Sequence, residues 1–457
     1  MKKVLTVILL LIFAVLPAAT SLTGCGNASN AKEIIIKVPN SCTINSLTHP
    51  DIKNVKTLLT SASEEYTAQS NKNVKISVME FNSGMEKEAI TNTFGTDSAA
   101  DVLFDGFFNM SSFIHTGNAV PLDDVLPQDA MSDLDSAYTS KGSFNNKMYM
   151  LPYTASQNIF IYNKNLLRSC GLDGYFDDGA TISDWSIEQW TTILDTLANK
   201  LPDGNVPFMM YAKNNQGDTH IMTLLRSYGS ELFDADNNFE LVNDPKVIDA
   251  LTWIQQGVKK DWYFPVPYDK TMTDNDSKFN LGELAFYIFN LNGSLYQKVK
   301  DDFNDNQKFD EYGFVNYPGN NCTLFCEGFE VFDNGDDEKI AIAKDFLRYF
   351  YTTDKWLECS AGTIPASRKV MEKYKDDILL LEAFSENAVH AVDFTRNLPN
   401  WQGSDDSVRS VFYQEIAKLL HMNDGRFDYT PEQIAASLQE KLNAAITNGR
   451  KNSRPHS

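Results

Sequence analysis

The alternation of short apolar strands with amphipathic helices most constrains the fold of this chain. EIIIKV at 33–38 is short and β-branched, which predicts a buried strand, and apolar residues between 58 and 66 recur at helix spacing. NVKISVME at 73–80 and ADVLFDG at 100–106 predict two more strands. Strand, helix, strand, helix, strand is the order of an α/β protein.

The rest of the chain keeps this pattern. Strands are predicted at 158–163, 205–212 and 282–290, and helices at 186–201, 245–260, 339–353 and 431–447. Thr430 is the expected N-cap of the last helix, with Pro431 at its first position. The chain is longer than one comfortable core and shows no internal repeat or low-complexity linker, so the sequence favours two lobes woven from alternating segments.

An apolar segment near the N-terminus is typical of an export signal. Lys2 and Lys3 precede VLTVILLLIFAVLPAA, which is too short for a comfortable membrane span. It is followed by LTGC at 22–25, which resembles the lipobox of bacterial lipoproteins. The resemblance implies a signal peptide at 1–24, a lipidated tether at 25–32, and acyl chains such as palmitate that anchor Cys25 to the cell membrane. The alternative is an unmodified cysteine after an ordinary signal peptide.

The charge balance excludes most nucleic-acid partners. Removing residues 1–24 takes two of the 40 Lys and Arg and none of the 61 Asp and Glu, so the net charge of −21 becomes −23. A polyanion needs a basic surface, and the basic residues form no cluster outside the tail GRKNSRPHS. We therefore expect no nucleic-acid partner.

The cysteines do not indicate a disulfide scaffold. Besides Cys25 there are five, an odd number. CTLFC at 322–326 could form a local disulfide or half of a metal site, but no second CxxC and no HxxxH accompanies it. The pattern favours buried thiols, and we expect neither a metal nor a cofactor.

Several short motifs occur in an order that is informative although each is weak alone. They are ADVLFDGFFNMSSFIHTGNAVPL, LPYTASQNIFIYNKNLL, ISDWSIEQW, FNLGELAFYIFNLNG, CEGFEVF and TIPASR. In this order they resemble the extracellular solute-binding proteins that feed ABC importers, in the carbohydrate group that includes maltose-binding protein. Ile159 departs from the pattern, in which a smaller residue is usual, and LNG at 291–293 replaces a frequent tryptophan.

The resemblance implies a two-lobed α/β fold of the periplasmic-binding-protein type II kind, with three hinge crossings and a ligand cleft between the lobes. Lobe one would comprise residues 31–152 plus 327–352, and lobe two residues 156–322 plus 355–457. The implied partners are a carbohydrate and the transmembrane subunits of an ABC permease, and we expect a monomer.

The cleft should be lined by loops beyond the carboxyl ends of the strands. A sugar receptor needs aromatic plates together with amides, carboxylates and hydroxyls. Trp401, in NLPNWQGSDD, is placed at the cleft by the resemblance, but its role as plate or packing stays open, whereas Trp185, Trp190, Trp253 and Trp262 are expected in the core. The expected ligand-binding residues are Asn40, Ser41, Asp105, Phe107, Asn109, Tyr153, Gln157, Asn215, Asp218, Asn290, Asn292, Glu327 and Trp401.

The ligand is expected to be a neutral oligosaccharide. Arginine and lysine are sparse in the expected cleft loops, where a phosphate or uronic acid would need a cationic clamp. Arg226 and Arg396 are the cations that could reverse this expectation. Two alternatives stay open, a surface glycoside hydrolase with two carboxylates and an adhesin or scaffold lipoprotein without a small-ligand cleft. The sequence has no GxSxG, HExxH, GxxxxGK[ST] or GxGxxG motif, and we do not expect an enzyme.

Lipidation at Cys25 can be tested directly. We expect Cys25→Ser, or globomycin treatment, to accumulate uncut precursor, because cleavage before the cysteine requires the lipidated residue. Mass spectrometry of the N-terminus decides the question. An intact, secreted N-terminus with unmodified Cys25 would show that the chain is not anchored in this way.

Overall fold

The computed structural model describes residues 31–44, 46–70, 72–177, 181–210, 218–263, 272–291, 311–377, 380–392, 395–402, 405–420 and 428–454. The strands are β1 Lys32–Pro39, β2 Val74–Phe81, β3 Val102–Gly106, β4 Ser143–Phe144, β5 Lys147–Met148, β6 Leu151–Asn163, β7 Ile182–Ser183, β8 Val206–Phe208, β9 Leu284–Leu291, β10 Tyr312–Val315, β11 Cys322–Val331, β12 Ile364–Pro365 and β13 Ala391–Val392.

The helices are α1 Val55–Gln69, α2 Glu86–Ala89, α3 Phe107–Ile114, α4 Gln128–Asp133, α5 Ser136–Lys141, α6 Lys164–Ser169, α7 Ile187–Lys200, α8 Asp218–Leu225, α9 Pro245–Lys259, α10 Met272–Asn280, α11 Asp337–Thr352, α12 Asp354–Glu358, α13 Arg368–Tyr374, α14 Leu381–Asn387, α15 Val408–Leu420 and α16 Pro431–Asn452. Among the described residues, no helix is both long and apolar enough to cross a membrane.

The main sheet has two groups of strands joined by β6 and β11. In the first group β1 pairs in parallel with β2 and β3, and β11 runs antiparallel to β3. In the second group β6 pairs with β9 and β10, and β8 pairs with β9. Because β6 pairs with β11 through residues 151–158 and with the second group through residues 157–163, it passes from one group to the other.

The predicted α/β alternation is confirmed, and local signals explain where its helices begin. Helix α1 starts after Asn54, whose side chain accepts from the Thr57 backbone amide, and α7 and α16 start with capping boxes at Ser186 and Thr430. Each cap satisfies backbone N–H groups that lack a partner within the helix. The strand predicted at 205–212 is shorter, at 206–208, and residues 211 and 212 lie outside the described residues.

The interior confirms the predictions for four tryptophans and for the cysteines. Trp185, Trp190, Trp253 and Trp262 are buried. The described cysteines are buried free thiols, namely Cys42, Cys170, Cys322, Cys326 and Cys359. Within the described part of the chain no group of three or more His, Cys, Asp or Glu side chains is arranged to hold a metal ion.

The segment after α11 packs on the first group of strands before the chain continues to α15 and α16. The Tyr153 hydroxyl donates to the Trp356 carbonyl oxygen at 2.6 Å, and Lys355 lies 2.7 Å from a carboxylate oxygen of Glu65. Strand β12 then pairs with residues 154 and 155 of β6, next to the point where β6 changes group. The chain therefore meets the junction between the two groups a third time at β12.

Gly328 tests the packing of β11 against β6. A Cβ at this position would lie 2.2 Å from the Leu151 carbonyl oxygen, so the backbone of one strand must shift. We expect Gly328→Ala to lower the free energy of unfolding by about 1–3 kcal/mol in chemical denaturation. Gly174→Ala is the matched control, since nothing lies within 4 Å of its Cβ. Equal stability of the two variants would contradict this strand register.

Candidate functional site

Polar side chains gather where β1 and β2 end. The Asn40 side-chain oxygen accepts from the backbone amide of Ser83 at 3.2 Å and from its hydroxyl at 3.1 Å, and the Ser83 hydroxyl lies 2.6 Å from that of Ser41. These exposed groups hold one another in place. Asn40 and Ser41 therefore lie at the strand ends where the sequence predicts a cleft.

Asp105 lies at the end of β3, just before α3. Its two carboxyl oxygens accept from the Gly106 backbone amide and from the Asn109 side-chain amide, both at 2.7 Å. Burial raises the pKa of Asp105 to about 8, and the nearby negative charge of Glu86 acts in the same direction. The side-chain oxygen of Asn109 is buried and has no hydrogen-bond partner in the described part of the chain.

Glu327 lies beside Asp105 because β11 pairs with β3. Glu327 is opposite Gly106 in the strand register, and its side chain accepts from the Thr154 hydroxyl at 3.4 Å. The Cys42 thiol lies 3.9 Å from its other oxygen. Burial raises the pKa of Glu327 to about 7. The fold thus brings together the predicted residues Asp105, Asn109 and Glu327.

A cavity of about 630 Å³ begins at Asn109 and has two walls. The first wall consists of residues between 84 and 116, and the second wall of residues between 399 and 453. Carboxylate, amide and hydroxyl side chains line it, among them Glu86, Ser112, Gln402, Asp405 and Ser410. Among the lining residues that are described, Lys87 is the one lysine or arginine. The volume of the cavity is in the range of small-molecule sites.

A buried lysine on β1, Lys37, holds the first wall in place from the side of the sheet. The Lys37 ammonium donates to the Ala89 carbonyl oxygen at 2.5 Å and to the Thr93 hydroxyl at 3.4 Å. Lys37 is on β1, so these bonds fix the end of α2 against the sheet. Glu86 and Lys87 are thereby presented to the cavity from a short helix tied to the core.

Three residues predicted to contact the ligand are buried in the interior instead, namely Tyr153, Gln157 and Phe107. The Tyr153 hydroxyl donates to the Trp356 carbonyl oxygen, and the Gln157 side-chain amide donates to the Phe384 carbonyl oxygen at 2.6 Å. Phe107 is 3% exposed and its ring centroid lies 4.2 Å from that of Phe108. None of the three side chains lines the cavity between the two walls.

Trp401 is also buried rather than open to a ligand. Its exposed fraction is 0%, so neither face of its indole can lie on a sugar ring in this arrangement. The next residue, Gln402, lines the cavity, as does Asp405. The loop that the resemblance placed at the cleft thus lines the cavity, whereas the Trp401 side chain packs inside.

Several predicted residues cannot be placed. Asn215, Asn292 and Cys25 lie outside the described residues. Asp218 begins α8 and Asn290 lies in β9 opposite Asn158, but their side chains are outside the described part. Conversely, Glu86, Ser112 and Ser410 line the cavity without having been predicted. The signal for Glu86 was the FNSG turn before it, in which Gly84 has a φ of +87°.

These features define a class of protein. Two groups of strands joined by crossing strands, with a polar cavity beyond the strand ends, form the two-lobed α/β fold of periplasmic binding proteins, and solved structures share it. Residues 50–355 match the sequence pattern of bacterial extracellular solute-binding proteins. The match covers more than half of the chain, so the protein belongs to that family.

Known structures share the fold over 91–92% of the chain. The GacH receptor of Streptomyces glaucescens, solved unliganded and with acarbose, is 16% identical with a TM-score of 0.67, covering 92% of this chain and 99% of its own. The cyclic α-maltosyl-1,6-maltose binding protein of Arthrobacter globiformis is 19% identical with a TM-score of 0.68, covering 91% and 99%.

A third similar structure is an ABC substrate-binding protein of Listeria monocytogenes in complex with cycloalternan. It is 16% identical with a TM-score of 0.65, covering 91% of this chain and 99% of its own. No curated protein sequence matches the chain.

The raised pKa of Asp105 predicts how stability depends on pH. The folded protein keeps this proton up to about pH 8, whereas the unfolded chain loses it near pH 4. The folded state binds more protons in this window, so stability falls as pH rises from about 4 to 8. An asparagine at position 105 has no such proton to lose. We therefore expect the melting temperature of Asp105→Asn to fall less than that of the wild type between pH 5 and about 8.5.

The exposed Asp97 provides the control for this measurement. Asp97→Asn should show the same fall in melting temperature as the wild type. An Asp105→Asn variant with an unchanged pH dependence would mean that Asp105 is ionised in the folded protein at neutral pH.

Proposed function

We propose that this protein is the cell-surface substrate-binding component of an ABC importer and captures a neutral oligosaccharide between two closing lobes. The observation that carries the proposal is the cavity between the two walls, which Asn109 lines together with carboxylate, amide and hydroxyl side chains. The amide oxygen of Asn109 is buried without a partner in the described residues, and such an acceptor costs free energy until a donor reaches it. A sugar hydroxyl is such a donor.

The lining of the cavity supports a ligand rich in hydroxyl groups. Carboxylate and amide groups accept hydrogen bonds from hydroxyls, and Ser112 and Ser410 can both donate and accept. The similar proteins from Streptomyces, Arthrobacter and Listeria are named for saccharide-type ligands or were solved in complex with them. Together with family membership, these points favour oligosaccharide binding over other solutes.

The described charges favour a neutral rather than an anionic ligand. Lys87 is the one lysine or arginine among the described lining residues, which also include the carboxylates of Glu86 and Asp405. Arg226 pairs with Glu231 at 3.1 Å, and the Arg396 guanidinium lies 4.8 Å from the Phe233 ring centroid. Both arginines are therefore used in packing, and a cationic clamp for phosphate or carboxylate is lacking among the described lining residues.

We place the lobes as the sequence suggested, with one change. Lobe one is residues 31–152 plus 327–363 and lobe two is residues 156–322 plus the chain after β12. Because residues 353–363 contact lobe one, we move the third crossing from 352–355 to β12. The family is extracellular, and we propose that Cys25 carries the lipid anchor and that the protein acts as a monomer that delivers ligand to a permease.

The buried carboxyl pair keeps a glycoside hydrolase as the second candidate. Burial raises the pKa of Asp105 to about 8 and that of Glu327 to about 7, and two carboxyl groups with shifted pKa values are what that reaction requires, although neither of the two lines the cavity. Incubation with labelled malto-, xylo- and manno-oligosaccharides separates the two. Cleavage supports the hydrolase, whereas binding without cleavage supports the transport protein.

A thermal-shift screen followed by calorimetry tests the proposal. We expect an oligosaccharide to raise the melting temperature, since a ligand that binds only the folded state stabilises it. With that ligand, Asn109→Ala should bind roughly ten- to a hundredfold more weakly, the effect of about 1–3 kcal/mol of lost hydrogen bonding. Asn199→Ala, an exposed asparagine on α7, is the matched control.

Two outcomes would contradict the proposal. If no sugar stabilises the protein, an adhesin or scaffold role is favoured. If a sugar binds but Asn109→Ala retains wild-type affinity with a native circular dichroism spectrum, the ligand lies elsewhere.

A further inference from the structure

The loop of residues 395–402, which we call the bridging loop, contacts both lobes. Arg396 and Asn397 are adjacent non-glycine residues in the left-handed region, with φ of 44° and 49°. Arg396 donates to the Asn237 side-chain oxygen at 2.9 Å on lobe two. Asn397 makes its contacts on lobe one instead. Consecutive left-handed residues of this kind persist only where surrounding contacts hold them.

Asn397 is held on lobe one by three hydrogen bonds. Its side-chain amide donates to the carbonyl oxygens of Ser143 at 2.8 Å and Lys141 at 3.3 Å. Its own carbonyl oxygen lies 2.8 Å from Nε2 of His115. With an exposed fraction of 6%, Asn397 makes these bonds away from water, where losing them is costly.

His115 is itself fixed at the end of α3. Its ring meets the Phe144 ring edge-on at 5.0 Å, and its carbonyl oxygen accepts from the Arg454 backbone amide at 2.9 Å. Burial lowers the pKa of His115, so its imidazole is neutral at neutral pH and Nε2 donates when it carries the single proton. Gly117 allows the approach of Arg454, because a Cβ there would lie 2.2 Å from the Arg454 carbonyl oxygen.

The same loop forms part of the second wall of the cavity. Pro399, Asn400 and Gln402 line it, and Asn400 donates to the Ala445 carbonyl oxygen of α16 at 3.2 Å. The Ser112 hydroxyl of α3 reaches the Gln402 carbonyl oxygen at 3.4 Å. The loop is thus tied to lobe two at Arg396 and Asn400, and to lobe one at Asn397 and Gln402.

We propose that Asn397 is a positioning residue that latches the bridging loop to His115 and the end of α5, keeping the two lobes together before ligand arrives. This inference rests on the proposed function only in assuming that the lobes move about their crossings. If the bridging loop moves with lobe two when the cavity opens, the three hydrogen bonds of Asn397 to lobe one are broken. The latch therefore sets how much of the ligand-free protein is closed.

Small-angle scattering of the ligand-free protein tests the latch. Asn397→Asp keeps the size of the side chain and its tolerance of the left-handed region, but places a carboxylate against two carbonyl oxygens. We expect a larger radius of gyration than in the wild type. Asn145→Asp is the matched control, since Asn145 has the same φ of 49° in an exposed turn.

Variants of His115 give an independent test if Asn397→Asp folds poorly. His115→Phe keeps the ring contact with Phe144 but removes the donor, and should also enlarge the ligand-free protein. His115→Gln restores a donor and should return the radius of gyration towards that of the wild type. A merely structural role would not produce this rescue.

The outcomes separate the latch from the proposed function. Wild-type radii of gyration for folded Asn397→Asp and His115→Phe would overturn the latch, whatever the protein binds. Failure of every sugar to bind would overturn the proposed function while leaving the ligand-free comparison decisive for the latch.

Discussion

The pairing of β6 with β11 is the interaction on which the rest of the structure depends. These two strands lie side by side where the chain passes between lobes, and Gly328 permits a backbone approach that a side chain would block. The other edge of β11 pairs with β3, and that register places Glu327 near Asp105 at the end of β3. The crossing between lobes and the carboxyl pair are therefore both built on β11.

The site combines rigid support with open hydrogen-bonding capacity. Lys37 and the short α2 fix the first wall, while α15 and α16 carry the second. Buried carboxyl groups whose pKa is raised are destabilising by themselves at neutral pH, and the unpartnered oxygen of Asn109 adds to this cost. A protein that retains such groups where its lobes meet is organised for a ligand that satisfies them. The bridging loop adds contacts across the same gap.

The sequence predicted the architecture well because its strand and helix patterns are local. β1, α1, α7, α9 and α16 follow from apolar periodicity and capping residues, and the order of motifs indicated the lobes. Individual contacts were predicted less well, because a tyrosine, glutamine or tryptophan near a cleft can equally serve the core. Tyr153 and Gln157 are bonded to residues distant in the sequence, and Trp401 is fully buried. The FNSG turn before Glu86 is a local signal, but the position of Glu86 across from the second wall depends on the fold of the whole chain.

The central claim is that one solute contacts both lobes at once. Hydrogen exchange with and without a saturating oligosaccharide identified by the screen tests it most directly, because it reports on both walls in one experiment. We predict slower exchange in residues 84–116 and in residues 399–410 at the same ligand concentration. Protection of one wall alone, or of neither, at saturation would contradict capture between the lobes.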